Sequence, residues 1–373
     1  MKFLVFDLPA SESGALAVLK DFYSFVSKTA TPEDEWFFIV STNALDEPSV
    51  SLNISILKRP EIKSSWIRRI YFECFEAARI VRKIRPDAIL SLQNTAIIGT
   101  HVPQVVYVHQ SVPYAPQKFS FFRKEERFFA AYALIFRPII GWSVRKAGSV
   151  VVQTAWFKDA LIKAHRLKST KVHVVSPGVN LVFPSERPAF HANEFFYPTT
   201  PHTYKNIDIL IDAILELRSR SRSPKLFLTI TGDENEYAHR ISSRIVSENL
   251  ENEVILLGRI TRDAVVAKYF SATLVFPSRL ETFGLPLLEA RLCGTRIIAS
   301  DTPFAREILS GYSQGSFYTE GDVVGLVGKM EQVMDEEIKN EPVPELSNEF
   351  SEGTHWDKIV NLLGECIASR RNS

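Results

Sequence analysis

Short apolar runs alternate with segments of helical periodicity along most of this chain. Residues 3–6 are continuously apolar, 9–14 are a polar loop, and 15–26 carry apolar residues at helical spacing. Further apolar runs at 36–40, 52–57, 88–92, 104–108 and 149–153 predict strands, and 65–84 predicts a helix. Strands without a polar face, alternating with helices, predict a parallel sheet covered on both sides. The pattern breaks at 176–180, and the proline-bearing stretch 183–188 predicts a linker. A second series then begins, with strands at 194–197, 226–231, 254–257 and 274–276 and helices at 206–219, 236–248 and 263–269. An amphipathic helix over 356–369 closes the chain. The expected architecture is α/β, with two doubly wound halves, 1–182 and 183–353. The C-terminal helix, about 354–373, is expected to pack back on the first half.

Composition narrows the functional classes. At 373 residues two domains are the natural expectation. Lys plus Arg is 44 against 43 Asp plus Glu, so no global charge calls for nucleic acid. Cys74, Cys293 and Cys366 lie far apart without metal-type spacing and read as thiols in a reducing compartment. Only four apolar residues separate Lys2 from Asp7, too few for a cleaved signal peptide. The longest apolar run, 128–136, is far short of the ~20 residues of a membrane span. The expectation is a cytoplasmic chain.

The densest chemistry lies at Glu281-Thr282-Phe283-Gly284-Leu285-Pro286-Leu287-Leu288-Glu289, between an apolar strand and a short helix ended by Gly294. A strand passing through a glycine loop into a helix presents free N–H groups and a positive dipole end to an anion. Pro286 suits the first helical turn, where its missing N–H costs nothing. Glu281 in the loop and Glu289 in the first turns of the helix are placed to accept hydrogen bonds from sugar hydroxyls. Three other positions join them. Lys205 begins a helix and can set a point charge against a diphosphate. Gly14, with Ser13, lies at the equivalent turn of the first half, where a missing side chain admits a ligand to the backbone. His109 ends an apolar strand. Each has a plain alternative taken singly: a solvated lysine, a turn glycine, a structural histidine, or, for Glu289, an acid complementing a helix dipole.

With these motifs the chain resembles the retaining nucleotide-sugar glycosyltransferases of the GT-B fold, specifically the GT4-type family. The similarity is strongest from Phe276 to Glu307, including the Glu-x7-Glu element and Ala299-Ser300-Asp301. The resemblance implies two Rossmann-like domains facing each other across a cleft, the first binding acceptor and the second the nucleotide sugar. It implies that Glu281 holds the donor sugar, Glu289 the donor ribose, and Lys205 the diphosphate. It also implies that the backbone at Phe283, Gly284 and Leu285 forms the diphosphate and sugar loop, that Gly14 packs against the diphosphate, and that His109 lies beside the transferred sugar. Gly258, Arg259 and Ile260 fall where the family holds the base. The arginine usual about five positions before the lysine is replaced by Thr200, with His202 or Arg259 as candidate substitutes. There is no Asp-x-Asp motif, and no metal or other cofactor is expected.

Two segments carry charge the overall balance hides. Residues 118–146 hold seven basic and two acidic residues among many aromatics, and 58–85 hold nine basic and three acidic. Such segments attract an anionic membrane surface, unless their aromatics enter the first domain's core. The implied partners are a nucleotide-sugar donor, a glycan acceptor that is plausibly lipid-linked, and the inner face of the plasma membrane. The implied function is hexosyl transfer in surface polysaccharide or O-antigen biosynthesis. The alternative from another class is a non-catalytic scaffold of the same fold that binds membrane or a partner glycosyltransferase.

Overall fold

Every strand pairing among the described residues is parallel. A computed structural model describes residues 1–9, 13–45, 53–64, 66–179, 181–336 and 354–371. They form two units, one comprising 1–114, 133–178 and the C-terminal helix, the other 115–132 and 179–336.

The first unit contains strands β1 (Lys2–Asp7), β2 (Glu35–Val40), β3 (Ile54–Lys58), β4 (Ala88–Ser91), β5 (Gln104–Tyr107), β6 (Ser149–Val152) and β7 (Val172–Val174), in the order β3-β2-β1-β4-β5-β6-β7. Its helices are α1 (Ser13–Thr29), α2 (Trp66–Tyr71), α3 (Ala77–Ile84), α4 (Arg127–Lys146, whose first turns lie in the other unit) and α5 (Ala155–His165). Alternate residues of β1 enter different cores. Phe3 and Val5 pack with α1, and Leu4 and Phe6 pack with Phe72 and α3. Period-two alternation in which both faces are apolar is what makes the strand read as one unbroken run.

The second unit contains β8 (Glu194–Tyr197), β9 (Lys225–Leu228), β10 (Val254–Leu256), β11 (Thr273–Phe276), β12 (Ile297–Ser300) and β13 (Gly315–Tyr318), in the order β10-β9-β8-β11-β12-β13. Its helices are α6 (Ile207–Ser219), α7 (Glu236–Ser247), α8 (Arg262–Ser271), α9 (Leu285–Cys293), α10 (Pro303–Ile308) and α11 (Val323–Asp335). In both sheets the order reverses once, between β1 and β4 and between β8 and β11. A crevice opens at the carboxyl ends of the strands at such a reversal.

The last helix, α12 (Thr354–Arg371), returns to the first unit. The Trp356 ring packs tilted against Phe22, centroids 4.8 Å apart, and its indole N–H donates to Asp21 at 2.8 Å. Burial of one such side chain contributes about 1.5–3 kcal/mol, and Ile359 and Leu363 are buried beside it.

The division of the chain differs from the sequence reading at two places. It falls after Gly178, four residues before the expected boundary at 182. Residues 115–132, assigned by sequence to the first half, belong to the second unit. The cause is aromatic packing and charge. Phe129 contacts Tyr204 and His202, each at 5.3 Å, and Glu125 accepts from Arg240 at 2.7 Å.

Candidate functional site

Lys205 and Glu281 are 76 residues apart in sequence and meet because their strands are neighbours at the order reversal. β8 leads into the loop that carries Lys205, β11 leads into the loop that carries Glu281, and the two strands are paired. Lys205 ends a tight 3-10 turn, Thr203–Lys205, and Asn206, in the left-handed region at φ 56°, redirects the chain into α6. The buried Tyr197 hydroxyl donates to the Lys205 carbonyl at 3.3 Å, and the Arg279 N–H donates to the Tyr204 carbonyl at 2.9 Å, tying the two loops together. Lys205 Nζ then lies 2.5 Å from Glu281 Oε1, with the side chains 16% and 14% exposed. At that burial the pair is only partly screened by water.

Beside this pair α9 begins at Gly284, whose φ of 94° places it in the left-handed region. No side chain caps the helix there, and a leucine or proline fills each of its first four positions. The N-terminal N–H groups of a helix have no intrahelical acceptor, so they and the dipole form an anion-holding end. A side chain at 284 would be strained by φ alone, and its Cβ would meet Leu287 at 3.4 Å. Phe283 is buried, so the loop presents backbone at 283–285.

Glu289 has a different environment from Glu281. It sits in mid-helix, and its two oxygens accept from Arg262 at 2.8 Å and the buried Tyr269 hydroxyl at 3.0 Å. Burial pushes its carboxyl above the usual range, against the opposing pull of Arg262. Sequence placed both glutamates toward the strand ends; the structure turns Glu289 toward α8. Arg262 was missed by sequence reasoning. Its one signal is its place in the first turn of α8, three residues after Arg259. Gly258, at φ 65°, donates its N–H to Ile230 at 3.1 Å, and Arg259 is exposed.

The suggested substitute at His202 is corrected by its surroundings. Its ring stacks on Tyr204 at 5.4 Å, and burial, helped by Lys205, pushes its pKa down to about 4. A neutral imidazole at neutral pH supplies no cation. Thr200 is exposed, and residues 232–235 form an acidic bend before α7 in which Glu234 accepts from the Thr231 and Gly232 N–H groups.

His109 and Gly14 belong to the first unit. His109 follows β5, and its N–H donates to Asn94 Oδ1 at 2.7 Å. Asn94 follows the neighbouring strand β4 with φ 69° and was also missed by sequence. Burial pushes the His109 imidazole down to about 4. Ser13 and Gly14 open α1, and residues 10–12 before them lie outside the described residues. Among the described residues no group of three His, Cys, Asp or Glu is placed to hold a metal ion.

Comparison with known proteins gives two family matches along the chain. The model for Glycosyl transferases group 1 matches residues 191–354, and that for Glycosyltransferase Family 4 matches residues 37–183. An O-antigen chain mannosyltransferase of Salmonella typhimurium is 25% identical over 63% of this chain and 64% of its own length. An uncharacterized glycosyltransferase of Methanocaldococcus jannaschii is 29% identical over 42% of each chain. The chain thus spans less than two thirds of the length of these relatives. Among solved structures, the lipopolysaccharide outer core galactosyltransferase WaaB superimposes with a TM-score of 0.64 at 18% identity, covering 98% of this chain and 99% of that one. Anabaena HepE in complex with UDP-glucose superimposes with a TM-score of 0.65 at 16% identity over the whole of both chains. At these identities the superpositions show a shared GT-B fold.

Proposed function

This chain belongs to the GT4-type glycosyltransferases, and on that premise we propose that it moves a hexosyl group from a nucleoside diphosphate-sugar to a glycan acceptor, with retention at the anomeric carbon. The observation that carries this reading is the Lys205–Glu281 pair beside the open N-terminus of α9. The anion that collects there is a diphosphate, held by the Lys205 ammonium and the N–H groups around Gly284. Glu281, freed from Lys205 by the phosphate, accepts from the sugar hydroxyls. Glu289, kept in place by Arg262 and Tyr269, faces the ribose. The family resemblance sets His109 beside the transferred sugar, and burial favours its neutral ring.

The bond from the anomeric carbon to the terminal diphosphate oxygen breaks, and an acceptor hydroxyl oxygen bonds the same carbon from the same face. The acceptor proton passes to the departing phosphate oxygen. Negative charge grows on that oxygen as the bond lengthens, so preorganised Lys205 and the helix end bind the transition state more tightly than the donor. These groups supply the positive charge without a divalent ion. The mannosyltransferase relative acts on O-antigen chains, which favours surface polysaccharide assembly as the setting. A panel of UDP- and GDP-sugars, incubated with chelator, is expected to show slow donor hydrolysis for one nucleotide and a few sugars. No turnover and no binding across the panel would leave the scaffold reading in its place.

We further propose a peripheral position on an anionic lipid surface facing the cytoplasm. No described helix is long and apolar enough to cross a membrane. In α4, which contains no acidic residue, Leu134, Ile135, Ile139 and Trp142 are 69%, 52%, 41% and 37% exposed, with Arg137, Arg145 and Lys146 beside them. Ile135, Ile139 and Trp142 are spaced along one helix stripe. Tyr71 and Phe75 form a second exposed aromatic pair, flanked by Arg68, Arg69 and Arg79. Each surface cation contributes about 1 kcal/mol of attraction to an anionic leaflet. Sedimentation is expected with phosphatidylglycerol vesicles and not with phosphatidylcholine, falling roughly tenfold for the double change Ile139→Glu, Trp142→Glu. Equal binding to both vesicle types would overturn this assignment.

A further inference from the structure

A second cavity in the same unit borders the Lys205 loop. It encloses about 320 Å3 and is walled by Lys118, Phe119, Arg123, Thr203, Tyr204 and Arg279 among others. Tyr204 also lies on the Lys205 side, with its ring 5.6 Å from Nζ, but neither Lys205 nor Glu281 lines the cavity.

Two of its polar atoms lack the hydrogen bonds a protein usually gives them. Thr203 Oγ1 and Arg279 Nε are buried without a hydrogen-bond partner among the described residues. Arg279 is ion-paired with Glu320, Nε to Oε1 3.4 Å, but without a hydrogen bond at Nε. Lys118 makes no ion pair among the described residues, and the one acidic group in the wall, Glu126, is engaged with the Ser120 N–H at 2.7 Å and with Arg123 at 3.4 Å. Of the three cations at the wall, Arg123 pairs with Glu126 and Arg279 with Glu320, and Lys118 has no ion pair among the described residues. The segment carrying Lys118 and Arg123 is held by Phe119 and Phe129 against Tyr204, at 6.4 and 5.3 Å. A buried donor that lacks a partner is costly, and an oxyanion satisfies guanidinium, ammonium and hydroxyl donors at once.

We propose that this cavity holds a phosphate group of the acceptor, separate from the donor's diphosphate. Assigning the anion to an acceptor rests on the glycosyl-transfer reading; the anion site does not. Its walls suit a phosphate monoester or diphosphate attached to a glycan, with Phe119 and Tyr204 offering ring faces to what the phosphate carries.

Inorganic pyrophosphate, titrated calorimetrically into the full chain already saturated with UDP, tests this. Binding is expected to persist under UDP. It should weaken about tenfold in Arg279→Gln, less in Arg279→Lys, and severalfold in Lys118→Gln, an exposed position where folding is not at risk. Abolition by UDP would assign the anion to the donor site and overturn the proposal. Unchanged affinity in both Arg279→Gln and Lys118→Gln would overturn it equally. If the transfer reading itself fails and no nucleotide binds, pyrophosphate titrated alone still reports on the cavity.

Discussion

Replacing Glu281 with alanine is expected to slow sugar transfer by about two to three orders of magnitude, the loss seen when one preorganised charge-stabilising group is removed. Far-ultraviolet circular dichroism should be unchanged, because the loop is held by Tyr197, Arg279 and the buried Phe283 as well as by the ion pair. Lys205→Ala is expected to cost about as much, since either change leaves one partner of a poorly screened pair alone. The two residues act as a unit, so the double variant should be little worse than either single one. Single-turnover rates for the three variants check this. Costs that multiply in the double variant would mean that the two groups act independently, and full activity in either single variant would remove that residue from the site.

Unfolding free energy is expected to fall steeply between pH 6.5 and 5. Burial pushes His109, His165 and His202 each down to about 4, with Arg145 and Arg137 adding to the effect at His165 and Lys205 at His202. A histidine with a depressed folded pKa favours the neutral ring. Its contribution is complete above the unfolded value of about 6.5 and is lost as the pH falls toward the folded value. At about 1.4 kcal/mol per pH unit, His109 withdraws up to about 2 kcal/mol by pH 5, and His202 and His165 withdraw less because solvent screens them. Glu289 has the opposite sign: its raised pKa favours the protonated form in the fold, so stability is gained as the pH falls through the folded value toward the unfolded value of about 4.5. Urea midpoints at pH 7 and pH 5 measure the drop. His202→Phe, which keeps a ring on Tyr204, should flatten the slope, and equal midpoints would contradict the assignment of these histidines as neutral.

Much of this molecule is legible in its sequence, for a local reason. A strand buried on both faces is an uninterrupted apolar run, and β1, β2, β4, β5, β8 and β11 read that way. The Lys205–Glu281 site was visible because each residue follows such a strand through a turn, and the order reversal brings the two turns together. What sequence did not disclose depends on distant partners. No periodicity says that Phe119 and Phe129 pack on Tyr204, so residues 115–132 were counted with the wrong half. Arg262 reaches Glu289 across 27 positions, and Asn94 reaches His109 across 15. No strand was expected from the sequence at β7, β12 or β13. The two glutamates looked alike as a spaced pair. One is paired with a lysine at the loop, and the other is held between a guanidinium and a phenol.

The most direct test of the account is a calorimetric titration of the turned-over nucleoside diphosphate-sugar, and of its nucleoside diphosphate, into the wild-type chain and Lys205→Ala. Saturable binding to wild type is predicted, weakened at least about tenfold in Lys205→Ala for both ligands, because the lost contact is to the diphosphate they share. Identical affinity in the two proteins would contradict the placement of the donor at the Lys205–Glu281 pair.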